Sequence, residues 1–537
     1  MPLPNVAGRS RLGSPYAIPP RLKYVAFGTL AALLTSLFVA APVSAAGTVY
    51  CVSPTGTPGE GCTNATTFRT LNDASRRNYG PGDTLKLQGG ATFRGPLWFD
   101  PGESGTASAP ITVTSYGSGR ALIDSRNTER GLGIDVFNAG GIEISNIDLV
   151  GNSAAGSGVQ FYNGTANRLS YVRVSNVESS GFRNGISIGG LTDGFANVVV
   201  SSANLHDNRD TGVSFYGPAF SGGNYANADV EVRNVVAHHN DGNPNNLSDS
   251  TGNGIVLGSV NGGLVTNSEA YENGRLCKTG FGPIGIWAYD SNNVTIQDNE
   301  SHHNRTGGKA DGGGFDLDHN TSNSLIQYNY SHDNEGSGYL MYSNKSNTAF
   351  TNNVIRYNIS HNDGRKNTYA GIRFGGRIYN SSVHHNTVYV GPVINGAPTA
   401  FRSNGVTGGG VTVRNNIFFM GAGTNVVRGT WAPAKLAMQG NDYFGSGGLR
   451  FLWGSATYST LSAWRTATGQ EKLNGAPVGF SVNPLLVSPG GQSAASYKLR
   501  SGSPMIDKGL NVVSGSRDYF GASVPRGAGR DIGAHEF

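Results

Sequence analysis

Charged residues and cysteine are scarce in this chain of 537 residues. Asp, Glu, Lys and Arg make up only 14% of the sequence, whereas 80 residues are glycine. This composition disfavours a helical enzyme and favours strands joined by tight turns. Three cysteines are too few for a scaffold built from disulfides. Cys51 and Cys62 lie close enough in sequence to form a disulfide, and Cys277 is predicted to be an unreactive, partly buried thiol.

Long hydrophobic runs are also missing, except for one near the start of the chain. Four basic residues, the last of them Lys23, precede an apolar run of 18 residues from Tyr24 to Ala41, and small residues follow it. This pattern predicts a signal peptide over residues 1–46 and a secreted, extracellular protein. An uncleaved membrane anchor is the alternative, because the run reaches the lower limit for a span.

Positive charge is confined mainly to that leader. The formal net charge is +5, and the leader contributes four positive charges and no acid. The rest of the chain therefore has a formal charge of +1 and no basic run, which argues against nucleic-acid binding. We expect no nucleic-acid partner, no membrane contact after leader removal, and a monomer.

A short apolar phrase that follows a glycine recurs at intervals of 24 to 42 residues. It begins at Gly158, Gly185, Gly212, Gly254, Gly285, Gly314, Gly338 and Gly371. A second phrase alternates with it at intervals of 28 to 33 residues, and its central asparagines are Asn234, Asn267, Asn299, Asn329, Asn358, Asn386 and Asn416. The period is too short for a crossover helix, so the sequence predicts an all-β solenoid of stacked parallel strands.

The limits of the repeat predict the domain organisation. We assign residues 47–109 to an N-terminal cap and first strands, 110–420 to about ten coils of parallel β-helix, and 421–537 to a C-terminal cap or small appended domain. A short helix within residues 68–78 is predicted to close the N-terminal end. A second helix is predicted over residues 459–468, with Leu461 and Trp464 on one face and Gly469 at its end.

Several phrases near the ends of the chain are typical of one superfamily. They are Tyr50-Cys-Val-Ser-Pro-Thr-Gly, Pro81-Gly-Asp-Thr, Ala109-Pro-Ile-Thr-Val-Thr-Ser-Tyr-Gly, Ser503-Pro-Met-Ile-Asp-Lys-Gly and Asp531-Ile-Gly-Ala-His-Glu. With them, the chain resembles bacterial secreted right-handed parallel β-helix proteins of the pectate-lyase-like kind. The resemblance implies a polysaccharide partner. Because that superfamily includes lyases, hydrolases, epimerases and non-catalytic proteins, the activity must be inferred from a site.

Each glycine-led phrase has apolar residues at its first and third positions, which strand periodicity turns inward. The second and fourth positions therefore face outward, and in consecutive coils they include Trp287, Tyr289, Asp316, Asp318, Tyr342 and Arg373. Neighbouring coils lie about 4.8 Å apart, which is comparable to the rise of one sugar unit. Trp287, Tyr289 and Tyr342 are therefore predicted sugar-stacking platforms. The alternative is that these aromatic rings pack beneath long loops.

Asp316 and Asp318 are the candidate catalytic pair. Two residues apart on one strand face, their Cα atoms are separated by about 6.6 Å, near the carboxyl separation used in inverting glycoside hydrolysis. Mutual repulsion would raise the pKa of one partner, which would supply an acid and a base at neutral pH. Asp311 and Glu335 lie nearby in sequence and are predicted to assist. This hydrolase hypothesis requires no cofactor.

The phrase from Ala310 to Asp318 resembles two family motifs only partially. It is similar to the acidic strand motif of polygalacturonases, whose paired-aspartate, Gly-His-Gly and Arg-Ile-Lys motifs are missing here. It is also similar to the Ala-Asp-Gly-Phe turn of calcium-dependent pectate lyases, with aspartate in place of their lysine. The second resemblance keeps a calcium-assisted lyase as an alternative.

In the lyase alternative, Asp311, Asp316 and Asp318 hold a Ca²⁺ ion that neutralises a uronate carboxylate. Lys309 or Arg373 then serves as the base or as a charge clamp. A third alternative is a non-catalytic glycan-binding or cell-surface protein on the same scaffold, because outward acids on a solenoid are often only solvated surface.

Histidines recur before an asparagine at similar coil positions, as a repeated turn would produce. They are His206, His238, His239, His302, His303, His332 and His361. Because acids such as Asp207, Glu272 and Asp333 replace some neighbours, the sequence does not predict a zinc site. His303 and His332 flank the acidic strand and are the two tested below as substrate-binding auxiliaries.

Overall fold

The computed structural model describes residues 47–537 apart from residues 58, 64, 153–155, 393–396, 422–424 and 514. The predicted signal peptide, residues 1–46, lies outside the described residues. The described residues belong to one compact unit. No helix within the described ranges has the length and hydrophobicity needed to cross a membrane.

The chain forms a right-handed parallel β-helix, which confirms the predicted fold class. The glycine-led phrases form one ladder, here called sheet 1, whose neighbouring strands pair in parallel register. Its parallel strands are Leu97–Phe99, Ile134–Phe137, Ser157–Asn163, Asn184–Gly190, Thr211–Tyr216, Asn253–Gly258, Ile284–Tyr289, Gly313–Leu317, Tyr339–Ser343, Ala370–Gly376, Thr399–Val406, Val427–Gly429 and Phe451–Trp453. Ala456–Tyr458 then adds antiparallel to the last of them.

Two further ladders complete each coil and are joined by the long strands Ile142–Val150 and Leu169–Ser180, which run through both. Sheet 2 also contains Val49–Val52, Thr66–Phe68, Thr84–Gln88, Ile111–Tyr116, Phe195–Ser201, Asn227–Arg233, Val260–Thr266, Asn292–Gln297, Leu325–Gln327, Val354–Arg356, Ser382–His384, Val411–Arg414 and Leu436–Gln439. Sheet 3 also contains Thr92–Arg94, Ala121–Asp124, Asn204–His206, Val236–His238, Glu269–Tyr271, Glu300–His302, Tyr330–His332, Ile359–His361, Thr387–Val390, Ile417–Met420 and Asp442–Gly445. Parallel pairing therefore continues beyond residues 110 and 420, the limits predicted for the solenoid.

Alternation along the strands separates the core from the outer surface. In the strand Gly313–Leu317, Phe315 and Leu317 are fully buried and pair in register with core residues of both neighbouring coils. Asp316 lies between them and points to the opposite face, because successive side chains of a strand alternate. Its register partners in the adjacent coils are Trp287 and Leu340. This is the outward row predicted from the phrases.

Buried asparagines connect the coils in two ladders. Each side-chain amide donates to the side-chain oxygen of the asparagine one coil later, as Asn329 does to Asn358 (3.0 Å) and Asn358 to Asn386 (3.0 Å). The first ladder contains Asn208, Asn240, Asn273, Asn304 and Asn334, and the second contains Asn299, Asn329, Asn358, Asn386, Asn416 and Asn441. Asn234 and Asn267 differ, because they are turn residues with positive φ.

An acid ends each asparagine ladder. Asn334 donates to Asp363 (2.8 Å), and Asn441 donates to Glu471 (2.8 Å). A carboxylate accepts hydrogen bonds at both oxygens, so it suits a last position that has no further acceptor to reach. Burial raises the pKa of Asp363 to about 6, although hydrogen bonds from Ser360 and Asn334 act in the opposite direction.

Short helices lie at both ends of the solenoid. The N-terminal helix spans Leu71–Ser75, and its N-cap Thr70 accepts from the N–H of Asp73. The C-terminal helix spans Leu461–Thr468 and ends at Gly469, whose φ of 73° is left-handed. Its Trp464 is fully buried and stacks on Phe451 at a centroid distance of 4.6 Å.

The remaining C-terminal segment includes the short hairpin Lys472–Leu473 and Ala476–Pro477 and the 3₁₀ turn Ala494–Tyr497. It packs along the outward face of sheet 3, where Leu486, Tyr497 and Ile532 form a second hydrophobic cluster with Tyr330 and Ile359. Two of the predicted site residues, His303 and His332, lie at this sheet, and His332 is buried there. At the N-terminal end, Cys51 and Cys62 are joined by a disulfide, whereas Cys277 is buried and free.

Candidate active site

A cavity of about 520 Å³ lies over the outward face of sheet 1. Asp316, Asp318 and Asp311 line it together with Trp287, and the loops around residues 248–250 and 280–282 contribute its sides. Both loops come from long insertions between strands, so the repeat itself does not determine their positions. A larger cavity of about 660 Å³ lies on the same sheet near Trp98. The Asp316 cavity differs from it in bringing three mutually interacting carboxyl groups together.

Asp316 is the most enclosed acid in this cavity. Only 3% of its surface is exposed, and its Oδ1 atom has no hydrogen-bond partner. Burial raises the pKa of Asp316 well above its usual range, and the negative charges of Asp318 and Asp311 raise it further. Arg373 acts in the opposite direction without outweighing these effects. Burial and the two neighbouring carboxyl groups therefore both favour the protonated form of Asp316.

Asp318 lies just beyond the end of the same strand and is half-buried. Its backbone N–H donates to the carbonyl of Ala288 (2.8 Å), which keeps the residue in the ladder geometry. Its Oδ1 accepts from the backbone N–H of His319 (2.7 Å) and lies 3.3 Å from the Nδ1 atom of that residue. Both contacts involve Oδ1, and they hold the carboxylate at the cavity that Asp318 lines.

His319 links Asp318 to a further acid. Its Nε2 atom lies 3.7 Å from Oδ1 of Asp290. Burial disfavours the charged imidazole, but the hydrogen bond to Asp318 and the charges of Asp318 and Asp290 outweigh burial and raise the pKa of His319. A raised pKa favours the protonated imidazole, whose Nδ1 atom faces Oδ1 of Asp318.

Asp311 enters the cavity from the turn before the strand, where its φ of 48° is left-handed. Its Oδ2 accepts from the backbone N–H of Gly282 (3.2 Å), which ties it to one cavity loop. Burial raises the pKa of Asp311, and nearby Arg373 opposes this shift. The Arg373 guanidinium stacks over the Tyr369 ring at 4.5 Å and lies behind the acids, outside the cavity lining.

The predicted aromatic platforms differ in how open they are. Trp287 is only 9% exposed, packs against Val256 and Ile284, and donates from Nε1 to Asn253 (3.1 Å). Trp287 therefore contributes to the cavity wall. This agrees with the alternative prediction, in which the aromatic rings pack beneath loops. Tyr289 and Tyr342 line the same cavity and are less enclosed.

Glycines in the adjacent coils position these two tyrosines. A Cβ atom at Gly258 would lie 2.4 Å from Cζ of Tyr289, and one at Gly375 would lie 2.6 Å from Cδ2 of Tyr342. Each ring therefore covers the glycine of its neighbouring coil, Tyr289 toward the preceding coil and Tyr342 toward the following one. The two rings lean apart, which leaves space above Asp318.

Five of the predicted site residues, Arg373 among them, do not line this cavity. Lys309 is exposed on the preceding turn. The Oε2 atom of Glu335 accepts from the backbone N–H of Thr306 (2.9 Å) and pairs with Lys366 (3.2 Å), so that acid stabilises a turn. His303 and His332 lie at sheet 3, because their phrase forms a different side of the coil from the glycine-led phrase. They do not act together with Asp316.

The three aspartates do not fit a calcium site in this arrangement. Among the described residues, the one group of three potential ligands whose atoms lie within 4.8 Å of one another consists of histidines, and it excludes Asp311, Asp316 and Asp318. Calcium requires several converging oxygen ligands. The positive charge of neighbouring Arg373 also opposes cation binding. No chemical step below depends on a metal ion.

His319 is the residue of the site that the sequence reasoning missed. It follows directly after Asp318, and it is absent from the repeated His-containing turns that drew attention to the other histidines. The position of His319 outside the repeat was the feature of the sequence that could have identified it. A histidine outside the repeat and next to a candidate catalytic acid indicates a local function instead of a turn.

Comparisons with known proteins agree with the architecture. Residues 224–418 match the family model described as a right handed beta helix region. No curated protein sequence matches the chain. The structure of GH136 lacto-N-biosidase from Eubacterium ramulus is similar with a TM-score of 0.50 and 16% identity, covering 68% of this chain and 67% of that chain.

Two further structures have lower TM-scores. Pectate lyase Pel9A has a TM-score of 0.40 and 17% identity, with 92% of this chain and 97% of that chain covered. The A-module of mannuronan C-5 epimerase AlgE4 from Azotobacter vinelandii has a TM-score of 0.39 and 14% identity, with 81% and 100% covered. At these identities the likenesses concern the fold alone. The strand ladders and the family match together make this chain a right-handed parallel β-helix protein.

Proposed function

We propose that this protein is a secreted polysaccharide-degrading enzyme, specifically a glycoside hydrolase that uses Asp316 as general acid and Asp318 as general base. The observation that carries the proposal is the state of Asp316, a buried carboxyl group with an unpartnered oxygen in a cavity that also contains Asp318. A buried polar atom without a partner costs about 1–3 kcal/mol, so such atoms in a cavity are commonly satisfied by a ligand.

The paired acids divide the chemistry of hydrolysis between them. Asp316 donates its proton to the glycosidic oxygen as the bond to the anomeric carbon breaks. Asp318 takes a proton from a water molecule, whose oxygen forms the new bond to that carbon. Their Cα atoms are about 6.6 Å apart by strand geometry. We infer an inverting mechanism, in which carboxyl groups about 6.5–9.5 Å apart leave room for a water molecule between acid and base.

The proposed mechanism requires the two acids to be in different protonation states. His319 places a backbone N–H donor and its imidazole beside Asp318, the proposed base. Burial and the anions Asp318 and Asp311 keep the proton on Asp316. After turnover the proton is on Asp318, and exchange with solvent returns it to Asp316.

The fold and the leader support a carbohydrate substrate outside the cell. The lacto-N-biosidase on the same fold is a glycoside-cleaving enzyme by its name. Residues 1–46 have the pattern of a signal peptide, and a disulfide between Cys51 and Cys62 is typical of proteins in oxidising compartments. Determination of the N-terminal sequence of the exported protein would test the predicted cleavage.

A panel of polysaccharides assayed in two ways tests the activity. A hydrolase produces new reducing ends without ultraviolet absorbance, whereas a lyase produces unsaturated products that absorb there. We expect reducing ends that form equally well in the presence of a calcium chelator. Unsaturated products would overturn the hydrolase assignment, and binding without any cleavage would show a non-catalytic glycan-binding protein.

The pH dependence of kcat/KM should report the protonation of Asp316. A general acid must be protonated, so activity should fall as pH rises through its pKa. Arg373→Gln removes a charge that lowers the pKa of Asp316, so the alkaline limb should move to higher pH. Asp311→Asn removes a charge that raises this pKa, so the same limb should move to lower pH. Shifts in the same direction for both variants would contradict the assignment of the limb to Asp316.

Tyr342 should contribute to substrate binding more than to chemistry. Tyr342→Ala is expected to raise KM about tenfold with little change in kcat, because one aromatic contact contributes about 0.5–1.5 kcal/mol beyond its buried area. Tyr216 offers a matched control, since its ring covers Gly189 in the way that Tyr342 covers Gly375, yet it does not line the cavity. Tyr216→Ala should leave KM unchanged, and equal effects of the two substitutions would exclude a specific role for Tyr342.

A further inference from the structure

The outward face of sheet 3 carries a strip of stacked aromatic rings, far from the paired aspartates in the coil cross-section. Neighbouring rings in this ring strip are nearly parallel, with centroid distances of 4.6 to 5.1 Å. The strip consists of His206, His238, Tyr271, His302 and His332. Because the rings repeat with the coil, most of them need only packing as an explanation.

One section of the ring strip differs from the rest. His302, His303 and His332 each place one ligand atom within 4.8 Å of the other two, and no second group of this kind occurs in the part of the chain that the structure describes. His303 follows His302 in the turn and is exposed, whereas His332 lies one coil later. Here a double-histidine turn meets a further histidine in the next coil.

We propose that His302, His303 and His332 form a binding site for a divalent transition-metal ion such as Zn²⁺. Neutral imidazole nitrogens are preferred ligands of zinc, nickel and copper. Since the ligands come from two consecutive coils, the ion would cross-link those coils on the outside of sheet 3. The sequence alone did not indicate this site, because acids interrupt the histidine pattern in the neighbouring coils.

Carboxylates behind the ring strip already orient two of the ligands. The Nε2 atom of His302 lies 2.9 Å from Oε1 of Glu269, and Nε2 of His332 lies 2.9 Å from Oε1 of Glu300. In both pairs, an N–H at Nε2 donates to the carboxylate, which directs the Nδ1 lone pair toward the proposed ion. Metal-binding histidines commonly have such a carboxylate partner on the second nitrogen.

Metal binding requires small changes in the positions and protonation of the histidine nitrogens. The Nδ1 atoms of His302 and His303 are 2.8 Å apart, whereas two nitrogens bound to one tetrahedral zinc are separated by about 3.3 Å. Exposed His303 has room to move by this difference. Zinc would displace to solvent the proton that His332 donates from Nδ1 to Asp333 (3.1 Å).

Competition with a chromogenic chelator measures zinc binding by the purified full protein. We expect one high-affinity Zn²⁺ per chain and a higher unfolding temperature when zinc is added. His302→Tyr should weaken zinc binding at least 100-fold while preserving the stack, because Tyr271 occupies the equivalent position one coil earlier. Glu269→Gln should weaken binding by about 10- to 100-fold.

The His238–His239 turn is a matched control. Its Nδ1 atoms are 2.7 Å apart, like those of the proposed site, but Tyr271 stands in the next coil where a third histidine would be needed. His239→Ala should therefore leave zinc affinity, stoichiometry and the zinc-dependent rise in unfolding temperature unchanged. The proposal is overturned if the unmodified protein binds no zinc, if His302→Tyr binds it normally, or if His239→Ala weakens binding equally.

Discussion

Asp316→Asn is expected to reduce kcat by about 10²- to 10⁴-fold, the range associated with loss of general acid catalysis. The amide has nearly the same shape as the protonated carboxyl group that it replaces, so the fold and KM should change little. Unlike the acid, it has no proton to transfer to the leaving oxygen. Steady-state kinetics on the substrate identified from the panel, together with the unfolding temperature, checks this result.

A second aspartate on sheet 1 provides the control. Asp135 occupies the outward row in which Asp316 also lies, it accepts a hydrogen bond from Gln160 (2.9 Å), and burial raises its pKa as well. It does not line the Asp316 cavity. Asp135→Asn should keep full activity, whereas Asp318→Asn should lose activity as severely as Asp316→Asn. Full turnover in both Asp316→Asn and Asp318→Asn would refute the enzymatic proposal.

Asn358→Leu is expected to lower the free energy of unfolding by about 2–6 kcal/mol. The Oδ1 atom of Asn358 accepts from the backbone N–H (2.9 Å) of Asn329, and its amide donates to the carbonyl of Ile326 (3.0 Å). Leucine can neither accept from the Asn329 N–H nor donate to the Ile326 carbonyl. Each buried group that is left unsatisfied costs about 1–3 kcal/mol. Denaturant titration monitored by circular dichroism measures the change.

The matching substitution at the surface is Asn261→Leu. Asn261 is exposed and also accepts an amide hydrogen bond from the next coil, from Asn292 (2.7 Å). Water replaces that partner when the side chain is removed, so the free energy of unfolding should change by less than about 0.5 kcal/mol. Equal destabilisation by the two substitutions would mean that burial of the ladder contributes nothing.

The repeated phrases were sufficient to predict the coil and the outward direction of Asp316. Strand alternation is local, so Phe315 and Leu317 determine which way Asp316 points without knowledge of the rest of the chain. The helix that ends at Gly469 was also predictable, because its capping residues and buried face are written in a few consecutive positions. These predictions depended on short-range periodicity.

Features that depend on contacts between distant residues were not predictable in the same way. The loop near Gly282 encloses the cavity and buries Trp287. Trp287 was predicted to stack on a sugar, but it forms part of the cavity wall. Glu335 resembled a site residue by its sequence position, yet Lys366 and the Thr306 backbone hold it in a turn. Strand alternation determines the direction in which each side chain of the row points. The positions of the loops and the ion pairs determine whether that side chain is exposed and what it does.

The acids at the ends of the asparagine ladders determine where a further coil could be added to the solenoid. A coil fits within a ladder but not after its terminal acid. Duplication of a whole coil between Asn329 and Asn358 would give the new amide a donor on one side and an acceptor on the other. A coil added after Glu471 would instead meet a carboxyl group that has no amide to donate and whose Oε1 already accepts from Asn441 and Tyr443. The solenoid is therefore most easily lengthened during evolution by duplication of an internal coil. Such a duplication would separate the coils that line the cavity and would leave the terminal cap unchanged.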